Sequence, residues 1–325
     1  MRYTIHNTTL IFILSSVLIA FLISSASAGE WYGSGQELYT IASGKIHGGI
    51  YINGGHGYSK ENPYLEYFEV PKGVKYARLY VPMWNYNKGD TVDVVINNIS
   101  LKTRYEPDYV AAWGVSCYVY NATDYVKSGI NKVEVYYKNP NGAPYAVILI
   151  AVYKDPTKPV VQFWITEGNY ALSKKDNLQE DTVQFKGTID KNEVNNATLW
   201  TVIIAGTPKE KDELYFNSQL LGEDVGRAKS GAYFDFDSFN VTPYLISSNN
   251  TVKFVRHEEL YIHPFNAVLG VHYKEGFASD DYIEITEQKT SKSSTIPLPV
   301  IAVLALTIIA IVFLYLNKRK KKRKI

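Results

Sequence analysis

The sequence predicts an all-β ectodomain carried on one membrane-spanning helix, and three observations predict it. Short runs of β-branched and aromatic residues alternate with turn residues from about residue 30 to residue 285. No 15-residue window of that region holds a sustained helical period. The long uninterrupted apolar stretches lie at the two ends of the chain, where export and anchoring signals belong.

At the N-terminus, Arg2 supplies a positive charge, Leu10 to Ile23 is almost wholly apolar, and Ala26-Ser27-Ala28 has the small-x-small form of a cleavage site. Residues 1–28 therefore read as a signal peptide cut after Ala28. A retained N-terminal anchor is the competing reading. At the C-terminus, Ile296 to Leu316 gives 21 residues without a charge, the length needed to cross a hydrocarbon core of about 30 Å. Seven cations, Lys318 to Lys324, follow at once. Positive charge flanking an apolar helix belongs on the cytoplasmic side, which places the preceding chain outside the cell membrane. Ile296-Pro297-Leu298-Pro299 also fits the start of a three-part sorting signal whose helix would be cut away. A plain membrane helix with Pro in its first turn is the simpler reading.

The charges divide the same way. One of the 34 Lys and Arg lies in the leader and seven in the tail, leaving 26 against all 32 Asp and Glu, an ectodomain of net −6. A nucleic-acid partner is thereby disfavoured, since phosphate recognition starts from positive surface. The single cysteine, Cys117, admits no intramolecular disulfide. Its alternating surroundings, Ser116-Cys117-Tyr118-Val119, place it in a buried strand.

Tyr76–Val81, Thr91–Ile96, Lys132–Tyr137 and Ala146–Tyr153 read as strands, with turns at Asn87-Lys88-Gly89-Asp90, Ser128-Gly129 and Asn139-Pro140-Asn141-Gly142. A register then repeats at an offset of 119–120 residues. Ala77-Arg78-Leu79-Tyr80 returns as Ala197-Thr198-Leu199-Trp200, and Asn98 to Leu101 as Asn217 to Leu220. Asn121 to Val126 returns as Asn240 to Leu245, and Asn131 matches Asn250. Each copy is long enough for one two-sheet sandwich, so the fold expected is two tandem antiparallel β-sandwich domains of jelly-roll, galactose-binding-like type. The expected order is a Gly-rich segment (29–60), within which Gly48 to Gly57 suggests a hairpin or wrapping loop, then repeat 1 (61–160) and repeat 2 (161–285). A stalk (286–295), the transmembrane helix (296–316) and a basic tail (317–325) follow.

Phe163 to Leu172, Ala197 to Val202 with Ala205-Gly206-Thr207-Pro208, Tyr233 to Phe239, and Tyr261 to Pro264 resemble a domain-of-unknown-function family found in surface proteins of methanogenic archaea. The likeness runs from about Gly44 to Tyr273 and departs at Asn97-Asn98, where such a protein more often has Asn-Gly. It implies an archaeal cell-surface location and brings no catalytic residue with it.

Candidate sites fall into three groups. Asn98, Asn121, Asn196, Asn240 and Asn249 stand in N-x-Ser/Thr sequons, open to N-glycosylation in an exported segment. Asp235 and Asp237, two apart, share one strand face and with backbone oxygens could hold Ca²⁺; the competing reading is a solvated loop or a pair capping nearby amides. No other cofactor is implied. Trp84, Tyr86 and Trp113, near or in the loops Asn85–Lys88 and Asp108–Gly114, are the candidate ligand-binding aromatics, since exposed rings stack on sugars or anchor protein partners. No nucleophile elbow or zinc-protease helix occurs. The reading is therefore a non-enzymatic binding or adhesion module toward a glycan or an envelope protein. A structural envelope component is the alternative, and a surface hydrolase the weaker third.

Overall fold

Part of the stretch expected as a hairpin or wrapping loop is strand: Gly48 to Asn53 of Gly48–Gly57 end the longest strand among the described residues. A computed structural model describes residues 32–286, and in it β1 (Gly35–Asn53) runs 19 residues through the centre of the molecule. The rest of the first half comprises β2 (Tyr64–Val70), β3 (Val74–Met83), β4 (Thr91–Ile96), β5 (Ile99–Ser100), β6 (Tyr109–Val110), β7 (Ser116–Asn121), β8 (Gly129–Lys138) and β9 (Ile148–Lys154). The second half comprises β10 (Val160–Tyr170), β11 (Leu172–Ser173), β12 (Glu180–Thr188), β13 (Val194–Ile204), β14 (Glu213–Phe216), β15 (Gln219–Glu223), β16 (Phe234–Asn240), β17 (Ser248–Val255) and β18 (Tyr261–Tyr273). A last strand, β19 (Tyr282–Ile285), follows, and two short 3₁₀ turns complete the all-β architecture. The expected stalk, transmembrane helix, tail and leader lie outside the described residues, apart from Thr286.

Three sheets carry these strands. One long sheet runs β16-β13-β18-β10-β1-β9-β3-β7-β6, and two four-stranded sheets, β2-β8-β4-β5 and β12-β17-β14-β15, cover it. The pairing pattern of the first half recurs in the second: β2–β8, β8–β4, β4–β5, β3–β7 and β3–β9 correspond to β12–β17, β17–β14, β14–β15, β13–β16 and β13–β18. The two halves are sewn together by antiparallel pairing of β1 with β10, from Gly35–Tyr170 to His47–Val160. Beyond His47, β1 leaves β10 and pairs with β9. Gly48 marks that handover at φ +148°, and a Cβ there would lie 2.0 Å from the Tyr153 carbonyl oxygen, so only glycine fits.

Side-chain alternation distributes the apolar residues among three cores. Phe68, Val94, Val135 and Leu149 fill the first half's sandwich, and Phe185, Phe216, Phe254 and Leu269 fill the second. The opposite face of the long sheet buries a third core to which both halves contribute, including Tyr80, Ile150, Phe163, Ile165, Val202 and Phe265. β9 is thus covered on both faces, Leu149 and Ala151 facing one core and Ile148, Ile150 and Val152 the other. That double burial is why its sequence is an unbroken apolar run rather than an alternating one.

The repeated asparagines act as clasps. Asn97 Nδ2 donates to Tyr125 O (3.1 Å) and Asn131 Oδ1 (2.8 Å), and Asn217 Nδ2 donates to Tyr244 O (2.7 Å) and Asn250 Oδ1 (3.0 Å). Asn131 and Asn250 are buried and also take the amides of Lys127 and Ile246. The structural partner of Asn217 is therefore Asn97, one residue earlier than the sequence register suggests. Asn97 and Asn98 both have positive φ (52° and 67°) in the tight β4–β5 turn, so sequence alone does not tell them apart.

A buried charged residue joins the halves at the junction. Glu167 on β10 is 1% exposed, and the Arg78 guanidinium grips it through Nη2 (2.6 Å) and Nε (3.2 Å). The hydroxyls of Tyr109 (2.6 Å) and Tyr80 (2.9 Å) donate to it as well. A buried carboxylate is tolerated only when donors replace its water, and here the first half supplies them to the second. Glu167→Ala strands the Arg78 charge, and urea unfolding should show a loss of about 3–5 kcal/mol. The double variant Arg78→Met/Glu167→Met should recover part of that loss.

Candidate functional site

The Trp84 loop is braced from beneath. Asp90 and Asn139 are buried, and Asn139 Nδ2 donates to Asp90 Oδ2 (2.7 Å) and to Asn85 O (2.8 Å). Asn139 Oδ1 accepts the Asn141 and Gly142 amides, and Trp84 N–H donates to Ala143 O (2.9 Å). The turn at Asn139–Gly142 is thus a strut holding Trp84 in place. Tyr86 N–H donates to Gly114 O (2.8 Å), which joins this loop to the one bearing Trp113. Trp113 sits at the tip with φ 59°, rare for a bulky residue, 36% exposed, with the Lys175 ammonium 4.9 Å from its ring centre. The three aromatics singled out in the sequence are therefore on abutting loops, and Lys175 from the second half joins them.

The structure adds rings that the sequence reading did not name. Trp84 packs on Tyr145 (6.3 Å between ring centres), Tyr145 on Tyr58 (5.7 Å) and Tyr233 (6.5 Å), and Tyr58 on Tyr233 (6.4 Å). Tyr58, Trp84 and Tyr145 come from the first half and Tyr233 from the second. The link between them is a backbone bridge of Gly57 with Ala232, closed by Tyr58 N–H to Ala232 O (2.9 Å). A Cβ on Gly57 would lie 2.5 Å from the Ala232 nitrogen, so glycine lets the two chains meet here. Tyr233, at φ 56°, is 51% exposed, whereas Tyr145 forms the floor at 4%. Burial pushes the Tyr145 phenol well above its ordinary range, with smaller contributions from the phenols of Tyr261, Tyr58 and Tyr233.

Behind this seam burial favours the neutral form of two ionisable groups. His263 on β18 is fully buried, stands edge-on to Tyr261, and pairs through Nδ1 with Asn169 Oδ1 (2.9 Å). Asn169 Nδ2 donates to Val115 O (2.8 Å), which turns its oxygen toward His263 and fixes the proton on Nδ1. Burial lowers the His263 pKa to about 3. Glu259 is also buried; burial raises its pKa to about 8 against the lowering effect of the Thr207 amide, which donates to Oε1 (2.6 Å).

The remaining candidates have other geometry. Asp235 and Asp237 are both buried, and protein donors hold them: Asp235 accepts the Ala228 and Lys229 amides (2.7 Å each). Asp237 pairs with Lys229 (2.7 Å) and Arg227 (3.1 Å). The pair tethers the loop before β16, and among the described residues no group of three or more His, Cys, Asp or Glu converges on a metal position. Asn98, Asn121, Asn196, Asn240 and Asn249 are all exposed. In two of these sequons the threonine also serves the fold: Thr123 Oγ1 accepts the Ala77 amide (3.0 Å) and Thr242 Oγ1 the Ala197 amide (2.7 Å). The expected cleavage after Ala28 falls outside the described residues. Among the described residues no helix is long and apolar enough to cross a membrane. Cys117 is buried on β7, where burial raises its thiol pKa.

The seam generates a pH prediction. An imidazole with a folded pKa near 3 binds fewer protons than the unfolded chain between about pH 3 and 6.5, so its contribution is present above 6.5 and lost as pH falls toward 3. Denaturation at pH 4 and pH 7 should give a smaller stability difference for His263→Gln than for the native sequence.

No curated protein matches this chain. Among solved structures, it is similar to PNGase F, a glycosylasparaginase from Flavobacterium meningosepticum, at 11% identity and a TM-score of 0.25, covering 73% of this chain and 99% of that one. It is similar to the major capsid protein P2 of bacteriophage PM2 at 7% identity and TM-score 0.24, covering 70% of this chain and 100% of that one. It is similar to tandem carbohydrate-binding modules of a Streptococcus pneumoniae family 98 glycoside hydrolase at 8% identity and TM-score 0.20, covering 64% and 81%. The sequence profile of one family matches residues 31–272, most of the chain, and the protein belongs to that family, described as a protein of unknown function (DUF3344).

Proposed function

We propose that this chain is an archaeal cell-surface protein, exported by its leader and held by its C-terminal helix, whose ectodomain binds a glycan or an envelope protein without chemical turnover. Two copies of one sandwich, fused by duplication, would supply the binding face together. The observation that carries this reading is the aromatic cluster of mixed parentage, Tyr58, Trp84 and Tyr145 with Tyr233. Aromatic rings on rigid supports are the usual energetic centre of recognition surfaces. The Asp90–Asn139 strut beneath Trp84 is the kind of support that lowers the ordering cost on binding.

The test is a glycan-array and envelope-protein binding screen with the full-length chain, purified in a detergent without a sugar headgroup. Trp84→Ala and Tyr233→Ala should each weaken the binding found by roughly 30-fold or more, the cost of losing about 2 kcal/mol at a recognition centre. Trp113→Ala reports whether the neighbouring loop extends the same face. Binding indifferent to both Trp84 and Tyr233 would remove the seam as the site.

A further inference from the structure

The four tyrosines of the seam share a property that the ring contacts alone do not reveal. Among the described residues, none of the hydroxyls of Tyr58, Tyr145, Tyr233 and Tyr261 has a hydrogen-bond partner, although other tyrosines, such as Tyr80 and Tyr273, are paired. Tyr145 is the most telling. Its ring is buried to 4%, yet its hydroxyl is not among the sealed, unpartnered polar atoms, so the hydroxyl is the part that reaches the surface. Tyr145 lies within electrostatic reach of the other three phenols, and Tyr261 within reach of Tyr233. Three phenol rings in mutual contact thus have a fourth phenol within electrostatic reach, each hydroxyl able to donate one hydrogen bond and to accept others.

The charged surroundings are equally specific. Among the described residues, the ionisable groups bearing on Tyr58 and Tyr145 are chiefly other tyrosines. Those acting on Tyr261 are Tyr233 and two carboxyl groups, Glu259 and Glu210. The Glu210 carboxylate lies on the rim, where it accepts the Leu260 amide (3.2 Å). Arg227 and Lys229, the nearest cations in sequence to Tyr233, are committed to Asp237. A ligand anion at the Tyr261 end would meet the Glu210 carboxylate, while the Lys175 ammonium lies over the Trp113 ring at the other end of the face.

We propose that the seam is a seat for an uncharged saccharide, its ring face against Trp84 and Tyr233 and its hydroxyls exchanging hydrogen bonds with the four phenols, and that it discriminates against acidic sugars. This rests on the reading of the seam as the binding face. Aromatic faces match the apolar C–H face of a pyranose, and unpaired phenols match its hydroxyls. The carboxylate on the rim supplies the repulsive element that selectivity requires.

The experiment uses the full-length chain in the same sugar-free detergent and three matched pairs of oligomers of equal linkage and length: glucose with glucuronic acid, galactose with galacturonic acid, and mannose with mannuronic acid. The neutral member of at least one pair should bind at least 10-fold more tightly than its acid. Tyr145→Phe, which keeps the ring and removes only the hydroxyl, should weaken it about 5- to 10-fold. Glu210→Gln should narrow the gap between neutral and acidic members. Equal or tighter binding of the acids, no response to Tyr145→Phe, or no binding of any oligomer would overturn the proposal. If the acids win but Trp84→Ala and Tyr233→Ala still abolish binding, the seam stands and only its ligand class falls. If those two variants bind like the native chain, the seam itself is not the site.

Discussion

The pairing of β1 with β10 is the constraint on which the rest of the structure depends. Without it the two halves would be separate sandwiches, each with an open strand edge. With it they share one continuous sheet and bury a third core on its far face. Burying that face obliges a polar bargain at Glu167, whose carboxylate lies in the shared interior and takes its donors from Arg78, Tyr80 and Tyr109 across the junction. The ion pair contributes specificity of docking more than raw stability, because a wrongly registered junction would leave a buried charge unpaired.

The proposed binding face is a consequence of the same junction. Tyr58 and Trp84 belong to one half and Tyr233 and Tyr261 to the other, and only the β1–β10 seam brings them within ring contact or electrostatic reach. The Gly57–Ala232 bridge then fixes the approach at backbone level. Further support comes from the C-terminal strand. β19 pairs with β1 at Ala42–Lys45, and Asp281 clips it there through His47 Nδ1 (2.8 Å), the His47 amide (2.7 Å) and Lys154 (2.7 Å). The last strand among the described residues is therefore fastened to the junction itself.

Much of the fold was legible in the sequence, for physical reasons that can be named. Strand alternation at Thr91–Ile96 and the turn residues around Asn139 are local signals, and both are realised. The repeated asparagines showed through because each has one geometric task, a clasp between a tight turn and a neighbouring strand. Other features depended on long-range pairing. Gly48 and Gly49 gave the end of β1 the look of a loop, whereas they are the places where the β9 backbone and the Tyr153 ring press against a central strand. At the site, Trp84, Tyr86 and Trp113 stood out because tryptophan is scarce and their loops read as turns. Tyr58, Tyr145, Tyr233 and Tyr261 did not, because among 27 tyrosines nothing local separates a seam residue from a sheet residue. Asp235 and Asp237 show the converse. Their spacing suited a cation, and the backbone amides and cations of residues 227–229 hold them in its place.

The central claim is that one ligand is held by both halves at once, and a hydrogen–deuterium exchange footprint of the bound full-length chain tests it most directly. The account predicts new protection in two groups of amides together, those around residues 57–59 and 84–86 from the first half and those around 231–234 and 259–262 from the second. Protection confined to one group, or appearing only on the outer faces of the four-stranded sheets, would contradict it.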